Sequence, residues 1–226
     1  MVLDLVAVDT ETTGVGWYDK AFMISVADAN GSDVYDSRIM SNDEWIKSME
    51  IVSNTLHSCD KIVMHNAKFD MQKLIRLGIN SSVFYDRFED TQAMAHLIDE
   101  HQSTSLKHLA RIYLNETTDE DEVLKVYRRK AKLKKEDGYE PIPHDILAPY
   151  ARKDAEFTLR LYSHLENRLP EDVRPLYEME KHMTLALLRI EAQAMSVDRN
   201  YIISKRKEYG DKIYKTKAKI GRASCR

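Results

Sequence analysis

An apolar run near the amino end, Leu3, Leu5, Val6, Ala7 and Val8, is closed by two carboxylates, Asp9 and Glu11, and broken by Gly14 and Gly16. A run of β-favouring residues without polar alternation describes a strand covered on both faces. Such strands occur where helices flank a sheet on either side, so the chain is expected to be α/β. Acids at the edge of an apolar segment are costly unless they are paired or bound to a cation. Strand side chains two apart point the same way, so Asp9 and Glu11 project together past the strand end. One reading gives them a shared metal ion; the other makes them turn acids flanking Thr12, Thr13 and Gly14.

Two further acids sit in comparable places. Residues 61–65 (Lys-Ile-Val-Met-His) read as a short strand, and Met71, Leu74 and Ile75 follow at helical spacing up to Gly78. Asn66 is expected to cap that helix, with Asp70 one turn later on the same face. Residues 145–169 read as one long helix: Asp145 is the expected cap, Pro149 falls in the first turn, and Ala151, Ala155, Leu159, Tyr162 and Leu165 form an apolar stripe. Tyr150 and Asp154, four apart, share a helix face, so the phenol can hold a water beside an ion bound by the acid. Solvated acids on ordinary amphipathic helices, with Tyr150 an interfacial aromatic, are the alternative for both segments.

Asp-x-Glu at a strand end, Asn-x-x-Phe-Asp opening a helix and Tyr-x-x-x-Asp on a late helix, in this order, resemble the three exonuclease motifs of the DEDDy 3′-to-5′ exonucleases. The likeness is to the proofreading domain of family A DNA polymerases of bacterial or phage type, and it spans about residues 1–170. The resemblance implies a ribonuclease H-like exonuclease fold, with a mixed β-sheet flanked by helices and a C-terminal helical segment. It implies that Asp9, Glu11, Asp70 and Asp154 hold two divalent ions and that Tyr150 orients the attacking water. Asp9 would bridge both ions, Glu11 and Asp154 would complete one, and Asp70 would serve the other. Lys68 and Phe69 match family positions that face the substrate strand, and with Thr10 and Asn66 they make up the expected substrate-binding set. The branch that uses histidine in place of the tyrosine carries it where this chain has Pro149, and His144 lies too far back to substitute.

Oxygen-only ligands select hard cations, here Mg²⁺ or Mn²⁺, and a pair about 3.5–4 Å apart stabilises the attacking and leaving oxygens of an in-line displacement. The unperturbed phenol pKa of about 10 makes Tyr150 a positioning group and not a base. The expected substrate is a single-stranded DNA 3′ end and the expected product a 5′-nucleoside monophosphate. Two alternatives stand beside this: an RNase D-like exoribonuclease, and a non-catalytic DNA-binding module of the same fold.

The chain has 226 residues and two cysteines, Cys59 and Cys225. This suits one α/β domain with an added segment in a reducing compartment, and it offers no thiolate cluster for zinc. No run of about 18 apolar residues and no leader is present, so no membrane partner is expected and the protein is placed in the cytoplasm of a bacterial or phage-infected cell. A net charge of −3 suits an enzyme that meets a short strand end through bound cations better than one gripping long duplex DNA.

Residues 22–29 and 34–39 read as a hairpin joined at Asn30-Gly31, and helices are expected over 43–56, 90–98 and 105–114. Asp90 is expected to cap its helix. Residues 115–144 are the least core-like, acidic from 116 to 122 and basic at Lys125, Arg128, Arg129, Lys130, Lys132, Lys134 and Lys135. A solvated face is the ordinary account of such a charge run, and phosphate contact is the alternative. Trp17 and Tyr18 are either stacking platforms for a base or core aromatics.

Residues 191–198 (Glu-Ala-Gln-Ala-Met-Ser-Val-Asp) are similar to the entrance to the polymerase domain of family A enzymes, with Ala194 where glycine is usual. Residues 171–219 are therefore expected to begin a polymerase domain whose remainder would be a partner in the same chain. Residues 220–226 look like a translated sequencing adapter and are set aside from fold reasoning.

Overall fold

The strands are β1 (Leu5–Thr12), β2 (Ala21–Asp28), β3 (Gly31–Asp36), β4 (Lys61–Met64) and β5 (Phe88–Asp90), and they form one sheet in the order β3-β2-β1-β4-β5. β1 pairs antiparallel with β2, and β2 with β3, whereas β1–β4 and β4–β5 are parallel, so the sheet is mixed, as expected. The structure, a computed structural model, describes residues 4–117, 119–134 and 137–223, apart from the side chains of 221–223. Leu3, Lys135 and Cys225 lie outside the described residues.

β1 is central because both of its faces are apolar. Val6 and Val8, with Ile24, Ile62 and Met64, meet Val52 and Leu56 of α1 (Asn42–Ser58) and Met71 and Leu74 of α2 (Ala67–Arg76). On the other face Ala7, Ala27 and Val63 meet three helices: α3 (Thr91–Ile98), α4 (Leu106–Leu114) and, past α5 (Asp119–Lys130), the long α6 (His144–Glu166). Each fully buried leucine or phenylalanine in these layers contributes about 1.5–3 kcal/mol. A third cluster sets Phe22 and Met23 of β2 against Leu124 of α5 and Leu147 and Ala151 of α6.

Several element ends differ from the sequence reading, for local reasons. α1 starts one residue before the expected 43 because Ser41 and Glu44 form a reciprocal capping box: the Glu44 N–H donates to Ser41 Oγ at 3.3 Å and the Ser41 N–H to Glu44 Oε2 at 2.8 Å. The hairpin turns at Ala29-Asn30, one residue early, where Asp28 Oδ1 accepts from the N–H groups of Asn30 and Gly31 at 2.7 and 3.0 Å.

α6 is not capped by Asp145. It begins at His144, with the Pro143 carbonyl accepting from Ile146 and Leu147, so Pro149 falls in the second turn and Asp145 favours the positive helix end as a first-turn acid. His144 is drawn sideways to Asp36 Oδ2 at 2.9 Å. Ala148, Ala151 and Ala155, all buried, keep the inward face of α6 small and let it lie close to the sheet.

The first compact unit runs to Leu188, past the expected boundary at 170. α7 (Arg174–Gln193) sends Tyr177 and Leu188 into the two main cores. It is also tied to Glu89 of β5, whose carboxylate meets Tyr177 Oη at 2.8 Å, Lys61 Nζ at 3.0 Å and Lys181 Nζ at 3.3 Å. The second unit, residues 189–226, holds α8 (Arg199–Ala223). Residues 220–223 of the expected adapter tail continue this helix. Ala194, closing α7, adopts φ 55°, a left-handed conformation that favours glycine. Among the described residues no helix is long and apolar enough to cross a membrane.

Candidate active site

Alternation along β1 turns Asp9 and Glu11 toward the α6 side, the face of Ala7, and turns Thr10 toward α2. Thr10 then reaches the second motif. Its Oγ1 donates to Asp70 Oδ1 at 2.6 Å and its N–H to the same oxygen at 3.0 Å, so Asp70 is drawn from α2 to the edge of β1 although 60 residues separate the pair. Asp154 comes in from α6, where the Lys107 ammonium of α4 contacts its Oδ1. Tyr150, one turn earlier, stacks on Tyr139 with ring centroids 6.0 Å apart.

The acids sense one another. Burial, reinforced by Asp9, pushes Glu11 up to about 8, with Lys107 and Arg38 pulling the other way. Asp9 is pushed up to about 6 by burial against the pull of Lys107. Asp70 stands well above the usual carboxylate range, through burial and the Asp9 charge, despite its Thr10 hydrogen bonds. Burial, with Glu11 next in weight, raises the Tyr150 phenol well above its ordinary value, so it stays protonated. Lys107 is lowered to about 8 by burial, with Asp9, Asp121, Glu11 and Glu120 opposing. The site is thus short of positive charge.

A cleft of about 550 Å³ opens beside Glu11, within the size range of small-ligand sites. Thr10, Thr12, Gly14 and Phe69 form one wall, and Arg128, Leu133, Gly138 and Tyr139 form the other. Thr10 and Phe69 of the expected substrate-binding set therefore meet at the cleft. Lys68, next to Phe69 in the first turn of α2, is partly buried and is not among the groups that line it.

Asn66 departs from expectation. It has φ 70°, is exposed, and its side chain does not cap α2. Asp90 does that work from outside the helix: its carboxylate accepts from the N–H groups of Asn66 and Ala67 at 3.1 and 2.9 Å while also capping α3 through Gln92 and Ala93. A left-handed residue cannot present its side chain to the turn that follows in the usual capping geometry.

The sequence reading gave no role to Lys107, Tyr139 or Lys73, and it placed Arg128 in a charge run, either solvated or in contact with phosphate. Arg128 donates to the carbonyls of Gly138, at 2.6 Å, and Lys134, and lies 5.2 Å from the Tyr139 ring, so it braces the cleft wall. Lys125, by contrast, pairs with Asp121 and Glu122 on the surface. Lys73, fully buried, donates to the carbonyls of Gly16 and Asp19 at 2.6 and 3.1 Å and clips the loop after β1 onto α2. Trp17 is partly buried and Tyr18 is 83% exposed beneath the Arg76 guanidinium, so neither is a core aromatic. Cys59 is a buried free thiol, pushed up to about 11 by its burial. Among the described residues no group of three or more acidic, histidine or cysteine side chains is arranged, as it stands, to hold a metal ion.

A mixed sheet of this order, with acids converging from β1, α2 and α6 beside a cleft, is the framework of a nuclease, and the chain belongs to the 3′-5′ exonuclease family whose sequence model matches residues 2–170. Its relatives include DNA polymerase DpoZ of Salmonella phage PMBT28, 31% identical over 203 residues, and the DNA polymerase of Escherichia phage T5, 33% identical over 173. These alignments cover 85% and 72% of this chain but 31% and 20% of the relatives, so the chain spans a third of their length or less. Among solved structures, Escherichia coli RNase D shares the fold at a TM-score of 0.58 and 14% identity, covering 82% of this chain and 45% of that one. The POL domain of Pol1 from M. smegmatis does so at 0.59 and 18%, covering 93% and 32%.

Proposed function

We propose that this chain removes nucleotides from the 3′ end of single-stranded DNA as 5′-monophosphates, using two divalent cations, Mg²⁺ or Mn²⁺, and that it is the proofreading part of a longer DNA polymerase. The observation that supports this reading is the recruitment of Asp70, by both hydrogen-bonding groups of Thr10, to the same strand end that presents Asp9 and Glu11, with Asp154 linked to those acids through the Lys107 ammonium.

The donor set fits a hard cation: every candidate ligand is a carboxylate, burial holds three of them above their ordinary pKa, and the Asp9 charge adds to the rise of Glu11 and Asp70. Asp9, Glu11, Asp70 and Asp154 would hold the ions, which when bound supply the charge that stabilises the attacking and leaving oxygens. The remaining work falls to the protein. Tyr150, kept protonated, donates a hydrogen bond that orients the water and does not remove its proton. Thr10 fixes the rotamer of Asp70. Phe69 offers the cleft an aromatic surface on which a splayed terminal base can stack, and this favours single strands because paired bases do not leave their own stack cheaply. The DNA polymerase names of the relatives support DNA over RNA as substrate.

The test is digestion of matched, labelled DNA and RNA oligonucleotides in Mn²⁺, with the Asp9→Ala variant as control. Shortening of the DNA from its 3′ end by wild type, with the variant at background, is the expected result. Preferred digestion of RNA would move the chain to the exoribonuclease reading, and equal inertness of both proteins would leave a binding module.

A further inference from the structure

Lys107 is the second residue of α4, yet its ammonium is lodged among the acids. It contacts Asp154 Oδ1, lies 4.0 Å from the centroid of the Tyr150 ring, and its side chain is only 15% exposed. Two general costs oppose a lysine here, the burial of an ammonium and its position at the positive end of a helix. What holds it is negative charge on several sides: Asp154 in contact, Asp9 and Glu11 of the proposed ligand set, and Asp121 and Glu120 of α5. The Tyr150 face, which the ammonium already touches, attracts a cation without occupying a carboxylate oxygen.

We propose that Lys107 is the resident cation of this site: its ammonium neutralises Asp154 until divalent ions enter, then gives up that carboxylate and keeps its seat on the Tyr150 ring. Ion binding is therefore an exchange of one tethered charge for mobile ones. Lys107 acts as a positioning residue in this scheme, because it sets the affinity and order of the ions and keeps the acids together before they arrive. The inference rests on the ion-binding reading of the four acids.

The experiment titrates the full chain with Mn²⁺ alone, without DNA, following free Mn²⁺ by electron paramagnetic resonance, in wild type, Lys107→Met and Lys107→Gln. Melting is recorded for each in EDTA and in saturating Mn²⁺. Removal of the competing ammonium is expected to tighten Mn²⁺ binding about fivefold or more, and to enlarge the melting gain between EDTA and Mn²⁺. Equal or weaker Mn²⁺ binding by Lys107→Met overturns the proposal. Should that variant fail to fold in EDTA, Lys107→Gln, which keeps a polar tip for Asp154, takes its place: tighter binding than wild type supports the exchange, and equal or weaker binding overturns it. Absence of Mn²⁺ uptake by wild type and both variants sinks the ion-binding reading itself, and this inference with it.

Discussion

At the scale of single residues, the site is a balance between buried negative charge and the few groups that answer it. Thr10 answers with hydrogen bonds, so Thr10→Val, which removes the 2.6 Å bond to Asp70 but keeps the backbone donor, is expected to slow strand digestion by about 10–100-fold, the usual cost of losing a group that orients a metal ligand. A rate within twofold of wild type would show that the N–H alone fixes Asp70. The unanswered charge has a pH signature. In EDTA, Glu11 keeps its proton in the folded protein up to about 8 but loses it in the unfolded chain above 4.5, so the native state binds the extra proton between those values. Stability attributable to Glu11 therefore falls as pH rises from 4.5 to 8, and Asp9 adds a smaller fall between 3.8 and about 6. Lys107, lowered from 10.5 to about 8, works in the opposite sense only above 8. Melting curves of wild type and Glu11→Gln in EDTA between pH 5 and 8 should diverge, the variant losing less stability with rising pH; parallel curves would refute the burial of this charge. Which acids share a face was legible from spacing, since two-residue and four-residue periods fix it, but their grouping as one candidate site came from the family resemblance. Lys107 was not, because its partner lies 47 residues away on another helix and a lysine on an amphipathic helix carries no mark of the face it meets.

At the scale of elements, the same contrast recurs. β1, β4 and the helices after them follow from apolar runs and periods, whereas the wall of the cleft does not. Residues 115–144 read as a solvated charge run, yet Leu124 and Ile142, with Leu147 just beyond, anchor this stretch to β2, and Arg128 is committed to two carbonyl oxygens, acceptors that every residue type provides equally. Gly138 was the available signal. Its φ is 65°, and a Cβ there would stand 3.0 Å from the Thr13 carbonyl oxygen, just past the end of β1. Gly138→Ala meets both penalties at once, so it is expected to cost about 1–2 kcal/mol in denaturant unfolding. It should also raise KM for oligonucleotides more than it lowers kcat, because the wall moves and the acids do not. Unchanged unfolding with unchanged KM would show that this wall is not seated against β1. The helix starts that were misplaced, at α1 and α6, were set by capping partners and by a proline carbonyl, which override periodicity at a helix end.

At the scale of the whole molecule, the question is where the exonuclease unit stops. The family match ends at 170, but the cores do not: Tyr177 is buried among the helices of one face, Leu188 reaches the other core, and the Glu89 carboxylate beneath them draws on Tyr177 and Lys181 from α7 as well as on Lys61 from β4. A chain cut at 170 keeps all the proposed ligands and loses that cover. Glu89, 3% exposed in the intact unit, would then face solvent with Lys61 as its remaining cationic partner, and the apolar pockets of Tyr177 and Leu188 would be wetted. Losing two such side chains and half of a buried ionic cluster is expected to remove several kcal/mol. The comparison is between chains ending at 170 and at 193, which differ by α7 and the short turn that leads into it. The shorter should melt well below the longer and bind more of a hydrophobic dye, while any surviving folded fraction keeps the same response to Mn²⁺, because no proposed ligand lies beyond Asp154. If both melt together, the packing of α7 is ornamental and the unit ends where the family match does.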